Sequence, residues 1–335
     1  MSNDSAVKLH FFPEEMVVNR LQDILHSEHE EIDRVIGSLM ESRGKLLRPR
    51  LVYLCASLQD SDPLMLRDAA VAVELIHLAS LVHDDVIDHS PLRRGKESLN
   101  ARWGEKISVL AGDYLFASAF HLISRLECRE IMECLAGAIK IMCSGEIKQL
   151  IQAHSLVVSQ EEYFEKTFAK TACLFASACR VGSLTSNLPG EQGKILEQYG
   201  LCLGYAYQII DDVLDFAADS KELGKPVGGD LLEGNITLPV LLALEDPEHS
   251  QRMCNLLRDG TPRVEDLPRI LQVLEDSCAL EKSLRWASGF LNQSMEVLNH
   301  LPDNSARRAL KELALFLGDG YYRQMDSQRA CNLEA

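Results

Sequence analysis

Apolar residues recur every three or four positions along most of the chain, a period typical of α-helices that bury one face. One such pattern runs through "AVELIHLASLVHDDVID" and ends at Pro91. Asp62 followed by Pro63 predicts its start, because an aspartate side chain caps free helical N–H groups and proline is tolerated at the first helical position. The sequence therefore predicts a long helix from residue 63 to the region of Pro91.

Other stretches show the same period. Ser159 and Glu162 have the spacing of a capping box, and the helix that they predict continues to about Leu188. A third long helix is predicted from about Gln192 through "YGLCLGYAYQIIDDVLDF". Shorter helices are predicted over residues 14–28, 30–43, 47–59, 105–125, 128–153, 236–245, 276–298 and 305–317.

Proline is missing between Pro91 and Pro189, a gap that few β-rich or loop-rich proteins would leave. Strand-like alternation is scarce, and neither a short internal repeat nor a linker-like segment is visible. We therefore predict an all-α fold in a single domain over residues 1–335, with a short mobile tail from about residue 326.

The amino-acid composition and net charge limit the kinds of molecule that this protein is expected to bind. The 335 residues are 46% apolar and carry a formal net charge of −16, which disfavours nucleic acid or an anionic membrane as the main partner. Any anionic ligand must then be held by local cations or by a metal ion.

Cysteine usage and the N-terminus indicate the compartment. Ten cysteines are scattered without a CxxC pair, and we interpret them as buried, reduced thiols. The N-terminal stretch lacks the features of a signal peptide, and no apolar run reaches the roughly 18 residues that a membrane span needs. These features predict a cytoplasmic protein without a transmembrane segment.

Two acidic clusters of the form DDxxD stand on predicted helices. Asp84 and Asp88 lie one helical turn apart with Asp85 beside them, and the pattern recurs in "YQIIDDVLD". Like charges on one helical face repel, and a divalent cation held by oxygen ligands would offset that cost. Two such faces in one helical bundle can share metal ions, and magnesium prefers carboxylate together with phosphate oxygens. The sequence therefore predicts a phosphorylated ligand.

Basic residues near both clusters suit such a ligand. Arg93 and Arg94 follow the first cluster, and Lys225 follows the second cluster in a glycine-rich stretch. The stretch "GKLLRPR" supplies Lys45, Arg48 and Arg50 near the start of an early helix.

With these motifs in place, the chain resembles the trans-prenyl diphosphate synthases, or polyprenyl synthetases, of the medium- to long-chain type. The resemblance covers nearly the whole chain, with "GKLLRPR", "ELIHLASLVHDDVIDHSPLRRGKES", "GDYLFA", "GEIKQL", "AKTACLF", "YQIIDDVLDF" and "GKPVGGDLLEGNITLP" in the family's order. It implies an isoprenoid-synthase-type helical bundle around a deep central cavity, assembled as a homodimer. It also implies head-to-tail condensation of isopentenyl diphosphate with an allylic diphosphate of geranyl, farnesyl or geranylgeranyl length.

The same resemblance implies roles for individual residues. Magnesium, as three ions that Mn2+ can replace, would be held directly by Asp84, Asp88 and Asp211. Three further aspartates would act through water or as support: Asp85, Asp212 and Asp215.

Substrate-binding residues follow from the family match as well. Arg93, Lys170 and Lys225 would hold the allylic diphosphate. The second substrate, isopentenyl diphosphate, would bind without metal to a basic pocket of four residues: Lys45, Arg48, His77 and Arg94.

Thr171, Gln208 and the Lys170 carbonyl would stabilise the allylic cation by oriented dipoles, and the released pyrophosphate would remove the proton. One departure from the family pattern is Asn235 in "EGNITLP", where many members carry a lysine that assists the diphosphate.

Product length should depend on the helix of the first motif. Ser80 lies one turn before Asp84 on the same face, with Ala79 beside it. Short-chain members tend to carry aromatic residues at these two positions, so the small residues here predict a product of geranylgeranyl length or longer, with Ile76 among the residues that set a deeper floor.

Three alternatives stay open. A class I terpene cyclase shares the bundle but usually pairs one DDxxD with a different second motif. The doublet of His83 and Asp84 suggests an HD-type phosphohydrolase, which leaves the second motif unexplained. A catalytically silent subunit of a heteromeric prenyl synthase would keep the fold, but such subunits commonly lose an aspartate motif.

Overall fold

The computed structural model describes residues 12–40, 44–152, 159–217, 227–257 and 262–318. Two-residue strands β1 (Leu92–Arg93) and β2 (Lys96–Glu97) form an antiparallel ladder. The α-helices, in chain order, are α1 (Glu14–Leu25), α2 (Glu30–Met40), α3 (Leu47–Ala56), α4 (Pro63–Ile87), α5 (Leu99–Trp103), α6 (Glu105–Ile123), α7 (Arg129–Gln152), α8 (Gln160–Thr167), α9 (Cys173–Thr185), α10 (Gly190–Ala217), α11 (Gly229–Leu232), α12 (Leu238–Glu245), α13 (Ser250–Leu256), α14 (Leu267–Asp276), α15 (Ala279–Val297) and α16 (305–318). The predicted all-α class is confirmed. Single-turn 3₁₀ helices occupy Val264–Asp266 and Leu298–His300.

Helix α4 begins as predicted and ends earlier than predicted. The Asp62 carboxylate accepts hydrogen bonds from the backbone N–H groups of Leu64 and Met65, at 2.9 and 3.4 Å. The helix stops at Ile87 because His89 takes a left-handed conformation with φ of 48°. The first aspartate motif therefore lies at the C-terminal end of a helix.

A tight hairpin turn follows that helix end. Arg94 and Gly95, the two central residues of the turn between β1 and β2, have φ values of 53° and 73°. Positive φ at both positions matches the twist of a two-residue hairpin. Apolar periodicity does not report such a turn, which explains why the sequence did not predict this ladder.

The helix predicted from Ser159 to Leu188 is divided in the structure. Its capping box is present, since Glu162 N–H donates to Ser159 Oγ at 3.1 Å and Ser159 N–H donates to the Glu162 carboxylate at 2.9 Å. A π-helical turn, Phe168–Ala172, then separates α8 from α9. Such turns insert a residue into a helix and are frequent at functional sites.

Four helices were missed because they are short or begin without a clear cap. They are α5, α11, α13 and α14.

The chain divides into two compact units. Unit 1 contains residues 1–139, 174–200 and 295–314. Within it, α4 packs against α1, α3 and α6. Helix α9 contacts α3 so closely that a side chain at Gly182 would overlap the Val52 carbonyl. This close approach fixes α3, which carries the basic residue Arg48.

Unit 2 contains residues 140–173, 201–294 and 315–335. Its buried core includes Ile209, Leu238 and Ile270. Phe164, Tyr205, Trp286 and Phe290 form an adjoining cluster of aromatic rings; the Tyr205 and Phe290 rings stack 4.9 Å apart. The prediction of a single domain over the whole chain stays a prediction, and the tail from residue 326 lies outside the described residues.

One described helix, α6, is long and apolar enough to cross a membrane by length and composition. Charged residues interrupt this helix, and the absence of a transmembrane segment stays a prediction. Since α6 packs along α4, its composition also fits a core helix of unit 1.

The described cysteines are all free, as predicted. The expectation that they are buried is wrong for Cys143, Cys254 and Cys278, which are exposed. Helical position sets their exposure, and cysteine content alone does not reveal it.

Candidate active site

The first aspartate motif presents one accessible face of α4. His77, Ser80, Asp84 and Asp88 recur at helical spacing and are each partly exposed, whereas Ala79 is fully buried. Ile76 is also fully buried. Among the residues predicted to set product length, only Ser80 therefore shares a face with the aspartates, and Ala79 points into packed structure.

Asp85 occupies a different environment from its neighbours. It is buried, and its carboxylate forms an ion pair with Arg93, whose Nε lies 2.9 Å from Asp85 Oδ1. Burial alone would lower the pKa of Arg93, but the hydrogen bonds that its guanidinium donates to Asp85, together with the charges of Asp85, Asp84 and Asp88, raise it above its ordinary value. Asp85 thus holds Arg93 beside the motif.

A basic pocket in unit 1 forms around Arg48 and Arg94. The Arg94 guanidinium lies directly against Gly44, where an added Cβ would meet Arg94 Nη2 at 2.5 Å. Arg48 packs over the Phe175 ring at 4.8 Å. A side chain at position 44 would displace the Arg94 guanidinium from its place in the pocket.

His77 belongs to the same pocket. Desolvation of its imidazole, followed by the positive charges of Arg48, Arg94 and Arg93, lowers its pKa well below the ordinary value. A neutral imidazole offers a hydrogen bond to a ligand rather than a charge. The structure therefore brings together three of the four residues predicted to bind isopentenyl diphosphate.

The fourth residue, Lys45, is exposed and precedes the first residue of α3 by two positions. Its carbonyl oxygen accepts a hydrogen bond from Arg50 Nε at 3.2 Å. The side chain is accessible next to Gly44, the residue that carries the Arg94 contact.

Glu74 is a pocket residue that the sequence did not reveal. It is 3% exposed on α4, its Oε2 has no hydrogen-bond partner, and its pKa is raised to about 7 by burial, against the opposing charges of Arg48 and Arg94. The sequence does contain a signal for this residue, because Glu74 is a charged residue within an otherwise apolar helical stretch.

The second aspartate motif lies on α10 in unit 2. Asp211 is exposed, whereas Asp212 is buried and accepts hydrogen bonds from Tyr163 Oη at 2.6 Å and Gln208 Nε2 at 2.8 Å. Burial and the charge of Asp230 raise the pKa of Asp212 to about 7.

Asp215 faces the following short helix. Its carboxylate accepts a hydrogen bond from the backbone N–H of Asp230 at 3.3 Å. Burial and the charge of Asp230 raise the pKa of Asp215 to about 8. Asp230, which sequence reasoning missed although "GGDLLEGN" displays it, thus belongs to the second acidic cluster.

A hydrogen-bonded chain links the π-helical turn to this cluster. Thr171 Oγ1 donates to Gln208 Oε1 at 2.6 Å, and Gln208 then donates to Asp212. Lys170 and Thr171 both lie in the π turn. The structure thus brings the predicted cation-stabilising residues, Thr171 and Gln208, into direct contact.

The donor set fits a divalent cation. Burial, followed by the negative charge of Asp230 and a smaller effect of Asp211, raises the pKa values of Asp212 and Asp215, and a cation would relieve the repulsion among these carboxylates. In the part of the chain that the structure describes, no three acidic, imidazole or thiol groups are already arranged to hold an ion. Ligand oxygens would then complete the coordination, as magnesium prefers. Lys225 lies outside the described residues.

Each unit thus contributes features typical of helical enzymes that act on phosphorylated ligands: an acidic motif with a basic pocket in unit 1, and a second acidic cluster in unit 2. Residues 29–274 match the model of the family described as polyprenyl synthetase. The chain is 35% identical over 304 residues to a heptaprenyl diphosphate synthase component 2 from Bacillus subtilis, covering 91% of this chain and 87% of that protein. It is 34% identical over 292 residues to an octaprenyl diphosphate synthase from Escherichia coli, covering 87% and 90%.

Comparison with solved structures indicates the same family. A polyprenyl synthase from Caulobacter crescentus, crystallised with calcium and isoprenyl diphosphate, superposes with a TM-score of 0.84 at 38% identity, over 90% of this chain and 93% of the other. A decaprenyl diphosphate synthase from Rhodobacter capsulatus gives 0.84 at 35%, over 92% and 95%. This chain belongs to the polyprenyl synthetase family and is a prenyltransferase with the all-helical isoprenoid synthase fold.

Proposed function

We propose that this prenyltransferase condenses isopentenyl diphosphate with an allylic diphosphate and releases an all-trans polyprenyl diphosphate of geranylgeranyl length or longer. The observation that carries the proposal is the hydrogen-bonded chain from Thr171 through Gln208 to Asp212. It fixes a hydroxyl and an amide beside an acidic cluster, as the ionisation of an allylic diphosphate requires.

The allylic diphosphate is assigned to the aspartate motifs and to neighbouring cations. Magnesium is assigned to Asp84 and Asp88 of the first motif and to Asp211 of the second, where it would supply Lewis-acid stabilisation to the departing pyrophosphate. Arg93 is held beside the first motif by Asp85, so its guanidinium is pre-oriented for the same anion. Lys170 and Lys225 are assigned to this anion as well.

Isopentenyl diphosphate is assigned to the pocket of Lys45, Arg48, His77 and Arg94. Arginines bind phosphate oxygens in a bidentate manner, and neutral His77 donates a hydrogen bond. The Thr171 hydroxyl donates its hydrogen bond to Gln208, so the lone pairs of Thr171 Oγ1 remain to stabilise the allylic cation. The released pyrophosphate takes up the proton, so no side-chain base is needed.

A product profile tests the proposal and the pocket floor together. The purified chain, incubated with farnesyl diphosphate, labelled isopentenyl diphosphate and Mg2+, should yield products of C20 or longer in mass spectrometry. Ser80→Phe should shorten them, because Ser80 lies on the accessible face below Asp84. The control Ala79→Phe should instead lower thermal stability, because overpacking a fully buried position typically costs about 1–3 kcal/mol.

Other results separate the alternatives. Unchanged products from Ser80→Phe would place the floor elsewhere. Release of pyrophosphate without condensation would indicate a terpene cyclase. A catalytically silent chain would indicate a subunit that needs a partner, and the name of the Bacillus subtilis relative, component 2, is the observation that favours this second candidate.

We further propose that the chain forms a homodimer through α6. Val109 and Leu110 expose 42% and 67% of their surface on this helix, although apolar side chains gain free energy when they are covered. Light scattering should give twice the 37.4 kDa chain mass, and Leu110→Glu should shift it toward the monomer. A monomeric wild-type chain at micromolar concentration would contradict the proposal.

A further inference from the structure

Lys166, on α8 in unit 2, is a lysine to which neither the motifs nor the resemblance assigns a role. Its Nζ donates a hydrogen bond to Asn235 Oδ1 at 3.0 Å. The Asn235 backbone is itself held, because its N–H donates to the Asp230 carbonyl at 2.9 Å. The asparagine therefore presents its amide oxygen from a fixed position and sets where the ammonium group lies.

The protein satisfies only part of the bonding capacity of this ammonium. A lysine Nζ donates three hydrogen bonds. Among the described residues, Asn235 is the only hydrogen-bond acceptor of Lys166, and no carboxylate oxygen lies within 4 Å of it. Lys166 is also only partly exposed. A partly buried ammonium with two N–H groups left over is suited to an anionic ligand.

The surroundings place this ammonium beside the second acidic cluster. Burial and the charge of Lys170, one helical turn further on, lower the pKa of Lys166, while Asp230, Asp212 and Glu146 oppose that shift. These acidic residues lie beyond ion-pair distance, so they affect the pKa of the ammonium group without accepting its hydrogen bonds. Lys166 and Lys170 thus form a pair of cations next to the residues assigned to the metal.

We propose that Lys166 is a diphosphate-binding residue of this site and that Asn235 positions it. The inference rests on the proposed function for the identity of the ligand, the diphosphate of the allylic substrate. It also accounts for the departure in "EGNITLP". Where the resemblance leads one to expect a lysine at position 235, this chain has an amide that holds a lysine from a different helix.

The test uses the full-length chain and four variants: Lys166→Met, Lys166→Gln, Asn235→Lys and the double variant Lys166→Met/Asn235→Lys. Calorimetry measures binding of inorganic pyrophosphate in the presence of Mg2+, and steady-state assays give KM for each substrate. Lys194→Met, at an exposed lysine of α10, is the matched control. Thermal unfolding verifies that each variant is folded, and Lys166→Gln retains a donor for Asn235 if the Met variant is unstable.

Loss of one charge-assisted contact should weaken pyrophosphate binding about tenfold to a hundredfold in Lys166→Met and Lys166→Gln. KM for farnesyl diphosphate should rise similarly, whereas KM for isopentenyl diphosphate should change less than about twofold, since its pocket is assigned to unit 1. In the double variant the new lysine returns an ammonium to the same place, so much of the affinity should recover. A purely structural role for Lys166 would produce no such recovery.

Wild-type pyrophosphate affinity in a folded Lys166→Met or Lys166→Gln variant would overturn the inference. A double variant that binds no better than Lys166→Met would overturn the role of Asn235. If the wild-type chain binds pyrophosphate through Lys166 but makes no polyprenyl product, the anion site stands and the proposed function fails.

Discussion

Asp84→Asn is expected to lower kcat by more than about 100-fold, because even supporting residues around a metal typically contribute 10–100-fold and Asp84 is assigned as a direct ligand. The substitution preserves the shape of the side chain and removes its charge. Since Asp84 is partly exposed at the end of α4, the fold should tolerate the change. Initial rates of isopentenyl diphosphate incorporation measure the effect.

The dependence of the rate on Mg2+ concentration distinguishes the loss of a metal ligand from a general loss of activity. The Asp84→Asn variant should need more Mg2+ than the wild type to reach its half-maximal rate, because one anionic ligand is gone. Asp23→Asn makes the same chemical change at an exposed position of α1 and should leave the rate unchanged. If the Asp84→Asn variant retains wild-type turnover, the assignment of Asp84 as a metal ligand is wrong.

Glu74→Gln is expected to stabilise the protein at pH 8 by about 3 kcal/mol, and most of this gain should disappear by pH 5. The pKa of Glu74 is raised from 4.5 to about 7 in the folded chain. The shift, caused by burial and only partly offset by Arg48 and Arg94, corresponds to roughly 3 kcal/mol.

The direction of the pH dependence follows from proton binding. Between pH 4.5 and about 7, the folded state keeps the Glu74 proton while the unfolded state loses it, so Glu74 lowers stability as pH rises through that window. Glutamine carries no ionisable proton and removes this contribution. Thermal or urea unfolding at pH 5 and pH 8 measures the difference.

Glu15→Gln, at an exposed position of α1, is the matched control and should change stability by less than about 0.5 kcal/mol at either pH. An equal effect of Glu74→Gln at both pH values would show that the buried carboxyl does not titrate in this range. A gain at pH 8 would indicate that the chain tolerates an unfavourable buried acid near Arg48 and Arg94, in the pocket that we assign to isopentenyl diphosphate, a cost typical of functional sites.

The positions of the long helices were predictable because their signals are local. Asp62 caps α4 and Ser159 caps α8 through atoms only two or three residues away, so neighbouring residues alone specify these starts. The two aspartate motifs were equally visible, since carboxylates one turn apart share a helical face wherever the helix packs. Their order along the chain, together with the basic motifs, was enough to indicate the family.

Helix ends and turns were less predictable because they depend on backbone conformations that apolar periodicity does not report. The left-handed residues His89 and Arg94 end α4 and form the hairpin that directs Arg93 toward Asp85. The π-helical turn that carries Lys170 and Thr171 was likewise hidden inside a continuous helical pattern.

The sequence by itself determined the helical class, the two acidic motifs and the family, because periodicity, capping and motif spacing act over a few residues each. Tertiary structure alone decided that Ser80 rather than Ala79 is accessible, that Glu74 lies with Arg48 and Arg94, and that Asn235 holds Lys166. Those facts depend on contacts between residues distant in the chain, and such contacts form only when whole helices pack against one another.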